Sequence, residues 1–196
     1  MKTAWFFAAL VALATMATPG AAQFSERYEF FKAVKDGDAA EVKALMEKPG
    51  SVIVNSRERD TGQTALHIVT DRKDPSWINF LYQAGANPNV QDQQGNTPLH
   101  IASAKRFTDG IQLLLAYGAR VNEQNSSGET PLIYAVQRLD GEAVRLLLRA
   151  GADAEQTDHT GLSARDYATR NPRARRILDL IETVEAPEQT VSGPVL

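Results

Sequence analysis

The chain has 196 residues, with 24 acidic and 21 basic side chains, a net charge of −3 and no cysteine. This mild acidity argues against a nucleic-acid binder, whose affinity rests on clustered Lys and Arg. The missing thiols exclude disulfides, thiol chemistry and cysteine-ligated metals, so the core alone must hold the fold.

Residues 1–22 read as an export signal. Lys2 opens it, residues 4–17 are apolar, and Gly20-Ala21-Ala22 supply small side chains ahead of a cut before Gln23. The apolar run is shorter than the roughly 20 residues a membrane span needs, so no membrane attachment is expected after cleavage. The remaining residues 23–196 suffice for one domain with a sizeable core. Next comes a helix with Phe24, Tyr28 and Phe31 on one side and Glu26, Glu29, Lys32 and Lys35 towards water.

From there the sequence repeats. Gly62, Gly95, Gly128 and Gly161 follow one another at steps of 33 residues, and Gly85, Gly118 and Gly151 keep the same step. Two residue classes in one register signal stacked solenoid units. Thr64, Thr97, Thr130 and Ser163 stand where a hydroxyl caps a helix, and Pro98 and Pro131 follow at the first helical position. Leu66, Leu99 and Leu132 begin the apolar stripe of a short first helix. Phe80-Leu81-Tyr82, Leu113-Leu114-Leu115 and Leu146-Leu147-Leu148 mark a second, closed by the second set of glycines.

These segments resemble the ankyrin repeat family. "TALHIV", "TPLHIA" and "TPLIYA" are similar to its T-P-L-H-x-A signature, and "AGANPNV", "YGARVNE" and "AGADAEQ" to its G-A-D-x-N stretch. The resemblance implies an all-α solenoid of helix-turn-helix units with projecting β-turn fingers and helical caps at both ends. The expected domain is 23–184, divided into an N-terminal cap (24–58), repeats 59–91, 92–124 and 125–157, and a C-terminal cap (158–184). Gly37 precedes Gly62 by 25 residues, where the regular pattern has 22, so "PGSVIVNSRERD" carries about three extra. The family often has Gly eleven residues after the turn Gly; here stand Lys73, Arg106 and Leu139. Either they adopt a left-handed backbone at some strain, or the loop takes another path. Residues 185–196 have little to bury and are expected to be disordered.

Catalytic chemistry finds no foothold in the sequence. His67 and His100 follow a Thr by three residues with no acid or nucleophile at a site spacing, and the resemblance makes them structural ties between turn, Thr and neighbouring backbone. His159 lies in the last finger and is expected to be solvated. No nucleotide-binding, hydrolase or metalloprotease motif is present, so no cofactor and no metal are expected. A hydrolase or metal enzyme built on the groove is the weaker alternative.

Two surfaces remain for binding another protein. The finger tips, including Gln93, Gln94, Asn96, Ser126, Ser127 and Glu129, are polar and mostly uncharged. Ten residues after the turn glycines stand Arg72, Lys105 and Arg138, with Arg170 in the neighbouring phase, which draws a basic line along the concave rim. Asp71 beside Arg72 partly neutralises that line. Asn125-Ser126-Ser127 is a glycosylation acceptor pattern placed at a finger tip. The expectation is a non-catalytic binding module, monomeric by itself, in the periplasm of a Gram-negative bacterium and gripping a protein through its concave face and fingers. A secreted effector imitating host ankyrin proteins is the alternative.

Overall fold

The capping and apolar signals become helices in a computed structural model that describes residues 19–185; most of the expected export signal (1–22) and the tail from 186 lie outside the described residues. Thr97 and Thr130 take extended backbone and cap helices that open on Pro98 and Pro131. These two helices, α5 (Pro98–Ala104) and α7 (Pro131–Gln137), and the matching α3 (Ala65–Asp71) and α9 (Ala164–Arg170), form the inner layer. The outer layer is α4 (Pro75–Gln83), α6 (Thr108–Ala116), α8 (Gly141–Arg149) and α10 (Arg175–Glu185). Neighbours pack within each layer and across each pair, so the stack grows by repetition.

Short helices of seven residues are marginal alone, and the shared core stabilises them. Leu66, Leu99 and Leu132 are sealed in it, with Ile78, Leu81, Ile111, Leu114, Val144 and Leu147 from the outer layer. Each Leu contributes roughly 1.5–3 kcal/mol by leaving water. Ile177 and Ile181 of α10 close the C-terminal end.

The N-terminal cap consists of α1 (Pro19–Asp36) and α2 (Ala39–Met46). Gly37, with φ of +76°, matches Lys73 in the first full repeat, so residues 29–36 are the inner helix of this cap and α1 overhangs it. The side-chain pattern expected here needs correction. Phe31 is buried, but so is Phe30, whereas Tyr28 is 66% exposed. Tyr28 sits on the overhang; the side chain of Phe24 lies outside the described residues.

The three extra residues are also located. Asn55 bonds the next unit as Asn89 and Asn122 do: its side-chain amide reaches Gly85 O, theirs Gly118 O and Gly151 O. Asn55 precedes Gly62 by seven residues, whereas Asn89 precedes Gly95 by six. One extra residue therefore lies in the first finger, and two lie ahead of Asn55 around Gly50 and the 3-10 turn Ile53–Asn55. Lys73, Arg106 and Leu139 do adopt the left-handed backbone, with φ of 59°, 54° and 54°.

Candidate protein-binding surface

The last three of the four fingers are each built by one short acceptor side chain. Asp92 Oδ1 receives the N–H groups of Gln94 and Asn96, Asn125 Oδ1 those of Ser127 and Glu129, and Asp158 Oδ1 those of Thr160 and Leu162, all at 2.8–3.1 Å. These three side chains are buried. Burial would raise the Asp158 carboxyl, but bonds from Thr160, Tyr167 and backbone N–H groups outweigh it and hold the pKa at about 2.

Successive fingers are then tied by single backbone bonds of the same phase. Gln93 N–H donates to Thr61 O, Ser126 N–H to Gln94 O, and His159 N–H to Ser127 O. The predicted tip residues thus form one row, with Gln93, Gln94, Ser126 and Ser127 exposed at its crest. Gln93 also donates its amide to Arg59 O. Asn96 and Glu129 are half-buried and turn inward: Asn125 Nδ2 lies within bonding distance of Asn96 Oδ1, Glu129 Oε2 and the Tyr134 hydroxyl. Gln137 donates to the other Glu129 oxygen. Burial, followed by the charge and hydrogen bond of Glu129, pushes the Tyr134 hydroxyl up to about 12, so it stays a donor.

Asn125 corrects a sequence expectation. It belongs to a glycosylation pattern at a tip, yet its amide faces three acceptors and the residue is 8% exposed. The folded protein offers no free amide there.

His67 and His100 fasten fingers to inner helices. The N–H of Thr64 donates to His67 Nδ1 at 3.1 Å, and Nε2 contacts Asn96 O at 3.0 Å; Thr97, His100 and Glu129 O repeat the arrangement. A backbone N–H can only donate, so Nδ1 must be bare and Nε2 must carry the proton. Burial pushes the His67 imidazole below its usual pKa and that of His100 down to about 4. Both ring nitrogens are occupied, which leaves none for a metal or a proton transfer. Among the described residues, no group of three or more His, Asp or Glu side chains could hold a metal ion. His159 is exposed and occupies a different phase of the repeat from these two.

Between fingers and helices runs a half-buried apolar row of Ile68, Ile101, Tyr134 and Tyr167, again one per unit. The basic residues border it at the ends of the inner helices, but they are not equivalent. Arg72 caps α3, donates to Val34 O at 2.9 Å, pairs with Asp74 at 3.3 Å and stacks over Trp77. It holds the N-terminal cap to the first repeat. Lys105 caps α5 and pairs with Asp71 at 2.7 Å, so Asp71 neutralises Lys105 rather than its neighbour Arg72. Arg138 caps α7, is exposed and has no ion pair among the described residues. Arg170 ends α9 under the field of Asp166, one turn back on the same helix.

The molecule is therefore a capped helical solenoid with a row of linked fingers and a shallow groove, a class that presents surface rather than a reaction chamber. A family model for ankyrin repeats, in three copies, matches residues 68–158, and the chain belongs to the ankyrin repeat family. No curated protein matches the chain. Ankyrin repeats generally mediate protein–protein interaction and are typically non-catalytic.

Proposed function

We propose that this chain is a non-catalytic binding module of the bacterial periplasm, which holds a partner protein through its finger crest and the adjoining groove. One observation carries this reading. The side chains at the crest change from finger to finger, Gln93-Gln94 to Ser126-Ser127 to His159-Thr160, while the backbone bonds that tie successive fingers keep one phase. A scaffold fixed in its backbone and variable at its tips is a recognition surface, because polar tips form adaptable hydrogen bonds. The export signal read from residues 1–22 supports the location.

The test is capture from periplasmic extract of the source bacterium with purified protein, alongside a variant carrying Gln93→Ala, Gln94→Ala, Ser126→Ala and Ser127→Ala. These changes leave the inter-finger bonds intact, since those use backbone atoms. Retention of the partner should fall about tenfold or more while melting is unchanged. Undiminished retention would remove the crest from the interface. Recovery of the native protein from culture medium instead of the periplasm would favour the secreted reading.

A further inference from the structure

The inner-helix ends and the outer-helix starts share one edge of the stack, and its cations divide into two groups. In the N-terminal half four are engaged: Lys35 with Glu58, Arg72 with Asp74, Lys105 with Asp71, and Arg106 with Asp140; Lys73, exposed between α3 and α4, makes no ion pair among the described residues. In the C-terminal half stand Arg138, Arg170, Arg173, Arg175 and Arg176, all exposed. None of the five makes an ion pair among the described residues, and Arg170 has only the field of Asp166. Packing of α7 on α9, and of α10 on α9 and α8, brings these helix ends to one corner.

Helix stability does not account for this corner. Arg138 and Arg170 lie at helix C-termini, where a cation is favoured. Arg173, Arg175 and Arg176 lie just before or within the first turn of α10, where the dipole opposes them, and that turn holds no acid. By contrast α2, α6 and α8 each have one there: Glu41, Asp109 and Glu142. A terminal cap needs a polar face, which mixed charges would supply without self-repulsion. The five side chains are moreover all Arg, the cation whose planar fork grips a carboxylate with two bonds.

We propose that this C-terminal corner docks an Asp- or Glu-rich segment of the partner protein, while the four paired N-terminal cations of the same edge serve the stack itself. The proposal rests on the reading of the chain as a protein-binding module and locates where an acidic stretch is gripped. Carboxylates from the partner relieve both the mutual repulsion and the dipole conflict, so binding is electrostatic and salt-sensitive.

Fluorescence anisotropy with a labelled oligoglutamate peptide tests it, using the full chain at about 20 mM and about 300 mM salt. The peptide should bind at low salt and be released at high salt. Arg138→Glu with Arg173→Glu and Arg176→Glu should weaken binding at least about tenfold, whereas Arg72→Gln with Lys105→Gln should change it less than about twofold. Helical content and melting, measured for both variants, keep misfolding separate from lost contact. Equal weakening by the two variants would overturn the proposal, as would no binding of the wild-type peptide complex at low salt. Binding to phosphatidylglycerol vesicles without binding to oligoglutamate would overturn it too and identify a membrane surface instead. Should the arginine variant still retain the periplasmic partner at full strength, the corner fails as the docking site while the finger crest stands.

Discussion

Gly128 and Gly161 occupy one phase of the sequence repeat and nearly one backbone conformation, with φ of +78° and +80°. Their surroundings differ. A Cβ on Gly128 would sit 2.7 Å from both the N and the ring Cδ2 of His159, in the next finger, whereas one on Gly161 would meet nothing within 4 Å. The turn demands glycine at both positions, but the stack demands it only where another finger follows. Phase in the sequence therefore reports what a unit needs for itself, and position along the stack adds what its neighbour needs.

The largest expected effect separates those two demands. Gly161→Ala should cost about 1–2 kcal/mol from the left-handed backbone alone. Gly128→Ala should lose that and a further 1–3 kcal/mol or so, because the finger of His159 must shift. Urea unfolding of the two variants measures the difference. Equal losses would show that the fingers yield without strain and that the inter-finger bond adds little.

A second contrast concerns the third residue of the inner helices: His67 and His100 in the first two units, Ile133 and Asp166 in the last two. Ile133 lies in the core, and Asp166 rebuilds the cap by accepting from the N–H and hydroxyl of Ser163. Only the first two units should therefore respond to mild acid. Burial disfavours the charged imidazole of His100, and a proton on Nδ1 would also face the N–H of Thr97, so the folded state binds this proton only near pH 4, against 6.5 when unfolded. Since the unfolded state binds more protons in that window, stability is fully present above about pH 6.5 and is lost as pH falls towards 4. The shift corresponds to about 3 kcal/mol for this residue. His100→Ile, which copies the third unit, should flatten the decline between pH 6.5 and 4 and leave the share of His67. An unchanged pH profile would show that His100 titrates freely. Below pH 4 a separate loss is expected as Asp158 is protonated, because its carboxyl is held at about 2.

The same distinction explains what could be read beforehand. The turn glycines, the Thr caps, the Pro starts and the inner histidines are local requirements repeated in each unit, so the 33-residue period displays them directly. The partners of the cations are not local. Asp71 adjoins Arg72 in sequence yet pairs with Lys105, 34 residues on, because stacking brings the end of α3 beside the end of α5. Arg72 and Arg138 share a phase, and only the cap ahead of Arg72 gives it a carbonyl to hold. Asn55 was hidden by the extra residues around it, although the matching Asn89 and Asn122 lay in register. Asn125 shows the converse limit, since a surface motif there belongs to a side chain that the finger folds inward.

The smallest effect tests the reverse situation, a place where the unit's own demand goes unmet. Gly37 takes its left-handed turn without a Cβ, but Lys73 adopts the same turn with one. Lys73 is exposed and its N–H bonds to Thr70 O, so its side chain adds no core packing to offset the strain. Leu139 is different, since it lies half-buried against the core and a glycine there would remove that contact. Arg106 is linked at 3.8 Å to Asp140, a buried carboxylate that a glycine at 106 would leave without that partner. Lys73→Gly relieves about 1–2 kcal/mol of backbone strain and returns about 0.5–1 kcal/mol as chain entropy in the unfolded state. A net gain of about 0.5 kcal/mol should appear as a higher urea midpoint with an unchanged slope. A lower midpoint would mean that the lysine stem shields the turn, and the three left-handed residues would then count as packing contacts rather than tolerated strain.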